Sequence, residues 1–127
     1  MLLTVKTSKM AKGVFVIAPV GSINSDTYGI LEKETEKVLK KAPHKVILDM
    51  EGVDYISSMG LRVVLSTLKA LKNINGDLAI VKLQPQIKKV FDIVNAMPSM
   101  RIFESMEEMD RYLDTMQKKA LAAEDEE

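Results

Sequence analysis

The chain contains no cysteine and no tryptophan, and only three phenylalanines, three tyrosines and a single histidine in 127 residues. Without cysteine there are no disulfides and no thiolate metal sites, which suits a reducing compartment. An excess of charge of either sign is missing too: 18 Lys and Arg stand against 18 Asp and Glu. No overall field therefore draws the chain to nucleic acid or to an anionic membrane. No apolar run approaches the roughly 20 residues needed to cross a bilayer. The opening Met1–Thr7 alternates and has no long apolar targeting core. A cytoplasmic protein without membrane insertion is expected. Neither G-x-x-x-x-G-K-[ST] nor G-x-G-x-x-G occurs, so the phosphate-cradling loops of nucleotide enzymes are absent. The nine methionines read mainly as core filler.

The length fits one domain, taken as residues 1–120, followed by an acidic flexible tail at 121–127. Leu3, Val5 and Thr7 alternate as a first strand, and Val14–Val20, β-branched and aromatic, reads as a second. The two form a hairpin. Turn chemistry at Gly21–Asp26 leads into a helix with Tyr28, Leu31, Thr35, Val38, Leu39 and Ala42 on one face. Lys45–Met50 is a third strand. A polar loop then reaches Ser57-Ser58, and a helix follows with Leu61, Val64, Leu65, Leu68 and Leu71 as its apolar stripe. Leu78–Val81 is a fourth strand. A helix from Pro85 buries Ile87, Val90, Phe91 and Val94, and Asn95–Pro98 breaks it. Arg101–Phe103 reads as a short fifth strand. Ser105 and Glu108 form a capping box for a last helix bearing Met106, Met109, Tyr112, Leu113 and Met116. Strands alternating with single helices imply an α/β fold with right-handed crossovers and parallel pairing after the hairpin.

Enzymatic readings fail for lack of parts. His44 opens the third strand and the serines lie beyond its far end, about 20 Å away for six strand residues, out of reach as a base. It reads as a solvated loop residue. Asp49, Glu51 and Asp54 could suit Mg²⁺ only by converging, and the simpler reading is a solvated acidic loop. Lys88-Lys89 is too small a patch for nucleic acid. No catalytic residue, cofactor or metal site is expected.

The serine pair remains. One serine suffices to cap a helix, so two leave a hydroxyl over, and Gly60 next to them permits close approach by another backbone. A phosphate on Ser58 would lie against free N–H groups at a helix N-terminus, where the dipole favours an anion by roughly 0.3–1 kcal/mol. With Leu61 toward the sheet, Met59, Val63, Ser66 and Ala70 fall on the opposite side, with Arg62 at the edge. This is either a partner surface or a face buried by a neighbouring helix.

These residues resemble a known family. Val46-Ile47-Leu48-Asp49-Met50, then Val53-Asp54-Tyr55-Ile56-Ser57-Ser58-Met59-Gly60-Leu61, with Gly21-Ser22-Ile23-Asn24 and the element order, are similar to STAS domains of bacterial anti-sigma factor antagonists. The resemblance covers about residues 3–117. It implies a single-domain, mixed five-stranded sheet, an opening hairpin then parallel strands, with about four helices mainly on one face. It implies a non-enzymatic partner switch, monomeric or weakly dimeric. The unphosphorylated form would bind an anti-sigma factor with serine kinase activity. Phosphorylation at Ser58, or in second place Ser57, would end binding, and a serine phosphatase would reverse it. Asn24, Ser57, Ser58, Met59, Arg62, Val63 and Ser66 would line the partner surface. Ser57 stands where the family often has Asp, Met59 replaces a usually small residue, and Asn24 lacks a common charge. STAS-like domains also serve as accessory subunits of lipid or anion transporters; there the serines would be mere caps and binding constitutive.

Overall fold

The structure, a computed structural model, describes residues 3–96 and 105–125. Strand β1 (Thr4–Ala11) turns at Lys12-Gly13 into β2 (Val14–Ile23), the antiparallel hairpin expected, with Thr4 opposite Val20 and Ala11 opposite Val14. Gly13 takes φ +74° in that turn, a region costly for any residue with a Cβ. The sequence gives β2 alternating burial: Phe15, Ile17 and Ile23 point into the core, while Val20 on the other face is exposed.

Helix α1 (Tyr28–Leu39) carries the chain to β3 (Lys45–Asp49), parallel to β2. Strand β4 (Gly52–Ile56) follows at once and also pairs β2 in parallel. Helix α2 (Ser58–Asn73) then leads to β5 (Asp77–Val81), parallel to β3, and the chain closes with α3 (Pro85–Ala96) and α4 (Met106–Asp125). The described sheet is thus mixed and five-stranded, ordered β1-β2-β3-β5 with β4 on β2. Leu31 and Val38 of α1, Leu61, Val64 and Leu71 of α2, Ile87 and Val90 of α3, and Met109 and Leu113 of α4 are buried with the inward residues of the strands.

Strand β4 was expected as loop. Its partners explain why the alternation is hidden. The offset from β2 to its parallel neighbour is 31 residues along β3, 32 at Val20–Gly52 and 33 at Ile23–Ile56. One extra residue enters between β3 and β4, and another at Asp54, where the register slips. Strands β3 and β4 are therefore one edge of β2 interrupted by two irregularities. The slip leaves Val53 and Ile56 both buried although three residues apart.

The strand expected at Arg101–Phe103, and Met97-Pro98, expected to break α3, lie outside the described residues. Helix α4 continues through Asp125, so residues 121–125, expected as tail, are helical; Ala and Leu there are strong helix formers. Residues 126–127 are outside the description. Ser105 caps α4 as expected, its Oγ accepting the Glu108 N–H at 3.1 Å. Tyr112, expected on the buried face of α4, is 40 % exposed; Gln117 takes a place in the core instead. In α2 the buried face is turned toward α1: Val63 and Thr67 are buried and Leu65 is exposed.

Candidate functional site

The site begins where β4 ends. Ile56 pairs Ile23, and the next N–H, that of Ser57, donates to the Ile23 carbonyl at 2.8 Å. Ser57 stays extended and caps α2, its Oγ accepting the Gly60 N–H at 3.3 Å. Ser58 is the first residue of the helix. Both serines are buried, Ser57 to 3 % and Ser58 to 0 % exposure. Gly60 is close-packed by side chains rather than by another backbone: a Cβ there would sit 2.7 Å from Ile23 Cγ2 and 2.8 Å from Ile56 Cγ1.

The N-terminus of α2 is not free. Asp110 of α4 reaches it, and its Oδ1 accepts both the Ser58 hydroxyl at 2.7 Å and the Ser58 N–H at 2.8 Å. A carboxylate thus stands in the anion position that the helix end favours. One turn along α4, Asp114 hydrogen-bonds Tyr55 and pairs with Lys118 at 3.0 Å. Two turns along, the buried Gln117 exchanges two hydrogen bonds with the Ile56 backbone: Oε1 accepts its N–H at 2.9 Å and Nε2 donates to its carbonyl at 2.8 Å. Sequence reasoning missed Asp110 and Gln117. The signal was there, since both lie seven apart beside Leu113, polar residues placed on the apolar stripe of a helix.

Burial, then Asp114 and Asp110, raise the Tyr55 phenol above its ordinary value of 10.0. Above that value the unfolded chain loses the phenol proton more readily than the folded one, so stability falls as pH rises. Denaturant titrations through the alkaline range should show this fall beginning near pH 10, full stability from this group below it, and a flatter profile for Tyr55→Phe. Equal slopes for the two proteins would count against it.

Four expected partner-surface residues do come together. Met59, Arg62, Val63 and Ser66 line a groove between α2 and α1, with Tyr28 and Glu32 as the opposite wall. Val63 forms the floor rather than an open face, being 4 % exposed, because α1 packs beside it. Ser58 is not in this groove; it is turned under α4. Asn24 is occupied with its own loop, Oδ1 accepting the N–H groups of Asp26 at 2.9 Å and Thr27 at 3.1 Å. His44 is exposed beside the hairpin turn, its N–H on the Gly13 carbonyl at 2.7 Å, far down the sheet from the serines. The acidic trio does not converge. Lys82 approaches Asp49 and Glu51 at 3.8 and 3.6 Å, while Asp54 accepts the Ser22 hydroxyl at 2.7 Å. Among the described residues no cluster of His or carboxylates could hold a metal, and no helix is long and apolar enough to cross a membrane.

Residues 6–109 match the STAS domain family. The chain is 38 % identical over 81 residues to BtrV of Bordetella bronchiseptica, named for the anti-sigma factor antagonists, covering 64 % of this chain and 70 % of that one. Its fold is similar to an anti-sigma factor antagonist from Mycobacterium paratuberculosis (TM-score 0.67, 21 % identity, 78 % of this chain and 88 % of that one). It is also similar to the Bacillus cell fate determinant SpoIIAA in its phosphorylated form (TM-score 0.62, 17 % identity, 72 % and 83 %). The chain belongs to the STAS domain family, and within it to the non-enzymatic anti-sigma factor antagonists.

Proposed function

We propose that the protein binds an anti-sigma factor with serine kinase activity while unphosphorylated, and is switched off by phosphorylation at Ser58. A serine phosphatase resets it, in the cytoplasm. The reading rests on kinship with BtrV and on one observation: Ser58 opens α2, whose next turns form the groove of Met59, Arg62, Val63 and Ser66 against Tyr28 and Glu32. The groove mixes thioether, aromatic ring and both signs of charge, as adaptable protein interfaces do. The division of labour between the serines supports Ser58 over Ser57. Ser57 Oγ caps the helix, and losing a cap costs about 1 kcal/mol. The Ser58 hydroxyl makes no cap bond, so its modification leaves the Ser57 cap in place.

The test pairs binding with mass mapping. Against the kinase-type anti-sigma factor of the same cells, Ser58→Ala should bind by calorimetry like wild type and take up no phosphate. Ser58→Asp should bind at least about tenfold more weakly, the scale of a charge placed against an interface. Equal binding by wild type and Ser58→Asp would overturn the switch. The complete burial of Ser58 favours a second reading, constitutive binding to a transporter subunit with both serines structural, Ser57 as the cap and Ser58 bound to Asp110. Copurification with a membrane ATPase and no phosphate on either serine would establish it.

A further inference from the structure

We propose that α4 is the gate of this switch: Asp110 latches Ser58, and a kinase gains the hydroxyl only when α4 lifts from the start of α2. The inference rests on Ser58 as the acceptor. In the transfer the Ser58 oxygen bonds the γ-phosphorus of ATP as the bond to ADP breaks, and the hydroxyl proton passes to the kinase. The oxygen must therefore be reached from outside, and in this structure it has no exposure at all. The contact that holds it comes from α4. Asp110 takes both the Ser58 hydroxyl and its N–H, Gln117 clips the same helix to Ile56, and Met109 and Leu113 are buried on the same face.

The closed gate also excludes the product. Asp110 already fills the anion position at the α2 N-terminus. A phosphoserine there would bring nearly two further negative charges into contact with it, and only one anion can use that helix end. Phosphorylation consequently holds the Asp110 turn of α4 away from the start of α2. One modification then has two effects: it charges the start of α2 and displaces Asp110 from it. Asp110 acts here as a positioning residue, holding the acceptor in a protected state.

The absence of cysteine gives a kinase-free test. Ser58→Cys introduces one thiol under α4. Thr67→Cys introduces one in the same helix, facing the interior lined by Ile17, Leu31, Val46 and Leu78, which α4 does not cover. Each is reacted with 5,5′-dithiobis(2-nitrobenzoate), with and without Gln117→Leu, which unclips α4 at a distance from the thiol. Losing these buried hydrogen bonds should speed labelling at position 58 by about tenfold or more and leave position 67 unchanged. Equal acceleration at both positions means global loosening and overturns the gate, as does no acceleration at either. In a second arm, full-length protein with phosphoserine built in at position 58 should exchange its α4 amides faster than the unmodified protein, while β2 and β3 stay protected. Unchanged α4 protection overturns the proposal. Neither arm uses a kinase or partner, so failure here removes the gate and leaves the antagonist reading to its own binding test.

Discussion

Gly60→Ala should destabilise the fold by about 1–3 kcal/mol, although alanine is the better helix former by about 1 kcal/mol. Gly60 lies in the first turn of α2, wedged over the ends of β2 and β4. An added Cβ meets Ile23 Cγ2 at 2.7 Å, Ile56 Cγ1 at 2.8 Å and Ile23 Cβ at 3.3 Å. Both isoleucines are fully buried and part of the central core, so neither can swing away cheaply. The helix has to ride up instead, which lengthens the cap from Ser57 and shifts Ser58 against Asp110. Gly29 supplies the contrast. It lies within α1 and its Cβ would meet nothing within 4 Å. Gly29→Ala should therefore stabilise, by about 0.5–1 kcal/mol. Opposite signs for two identical substitutions, read from urea midpoints, separate packing from propensity. A neutral or stabilising Gly60→Ala would mean that α2 does not seat on the sheet as described.

That seating was partly legible in the sequence. The hairpin, α1, β3, the serine-capped start of α2 and β5 follow from alternation, helical spacing and turn residues, all local signals. Strand β4 was hidden because the slip of register at Asp54 breaks the period of two that marks a strand; Val53 and Ile56 carry the pattern only once β2 is beside them. The groove between α1 and α2 was half visible. Met59, Arg62, Val63 and Ser66 share a side of one helix, whereas Tyr28 and Glu32 join them only through the packing of two helices far apart in the chain. Asp110 and Ser58 are 52 residues apart, and nothing local to either serine announces a carboxylate overhead. Long-range polar contacts of this kind are set by how α4 docks, which periodicity does not determine.

The docking of α4 is set by side-chain bonds to the outer edge of β4. Strand β5 pairs β3 and continues only to Met50, whose N–H donates to the Val81 carbonyl at 3.0 Å; Lys82 then turns the chain away at φ +58°. Among the described residues, no further strand lies beside the backbone of β4 beyond that point. Glutamine side chains take its place. Gln84 donates to the Glu51 carbonyl at 2.8 Å, Gln86 to that of Asp54 at 3.0 Å, and Gln117 pairs both groups of Ile56. Leucine at position 117 would keep the bulk and leave a buried N–H and a buried carbonyl without partners. Each such group costs about 1–3 kcal/mol, so Gln117→Leu should weaken the docking of α4 by about 2–6 kcal/mol. The loss should appear first as local opening, because the sheet and α1 do not depend on α4 for their own pairing. Amide exchange along α4 should then quicken roughly thirty-fold or more, with β2 and β3 little changed. Uniform acceleration throughout the chain would show α4 to be an inseparable part of the core. Selective acceleration would make Gln117 the residue that sets how often Ser58 is uncovered.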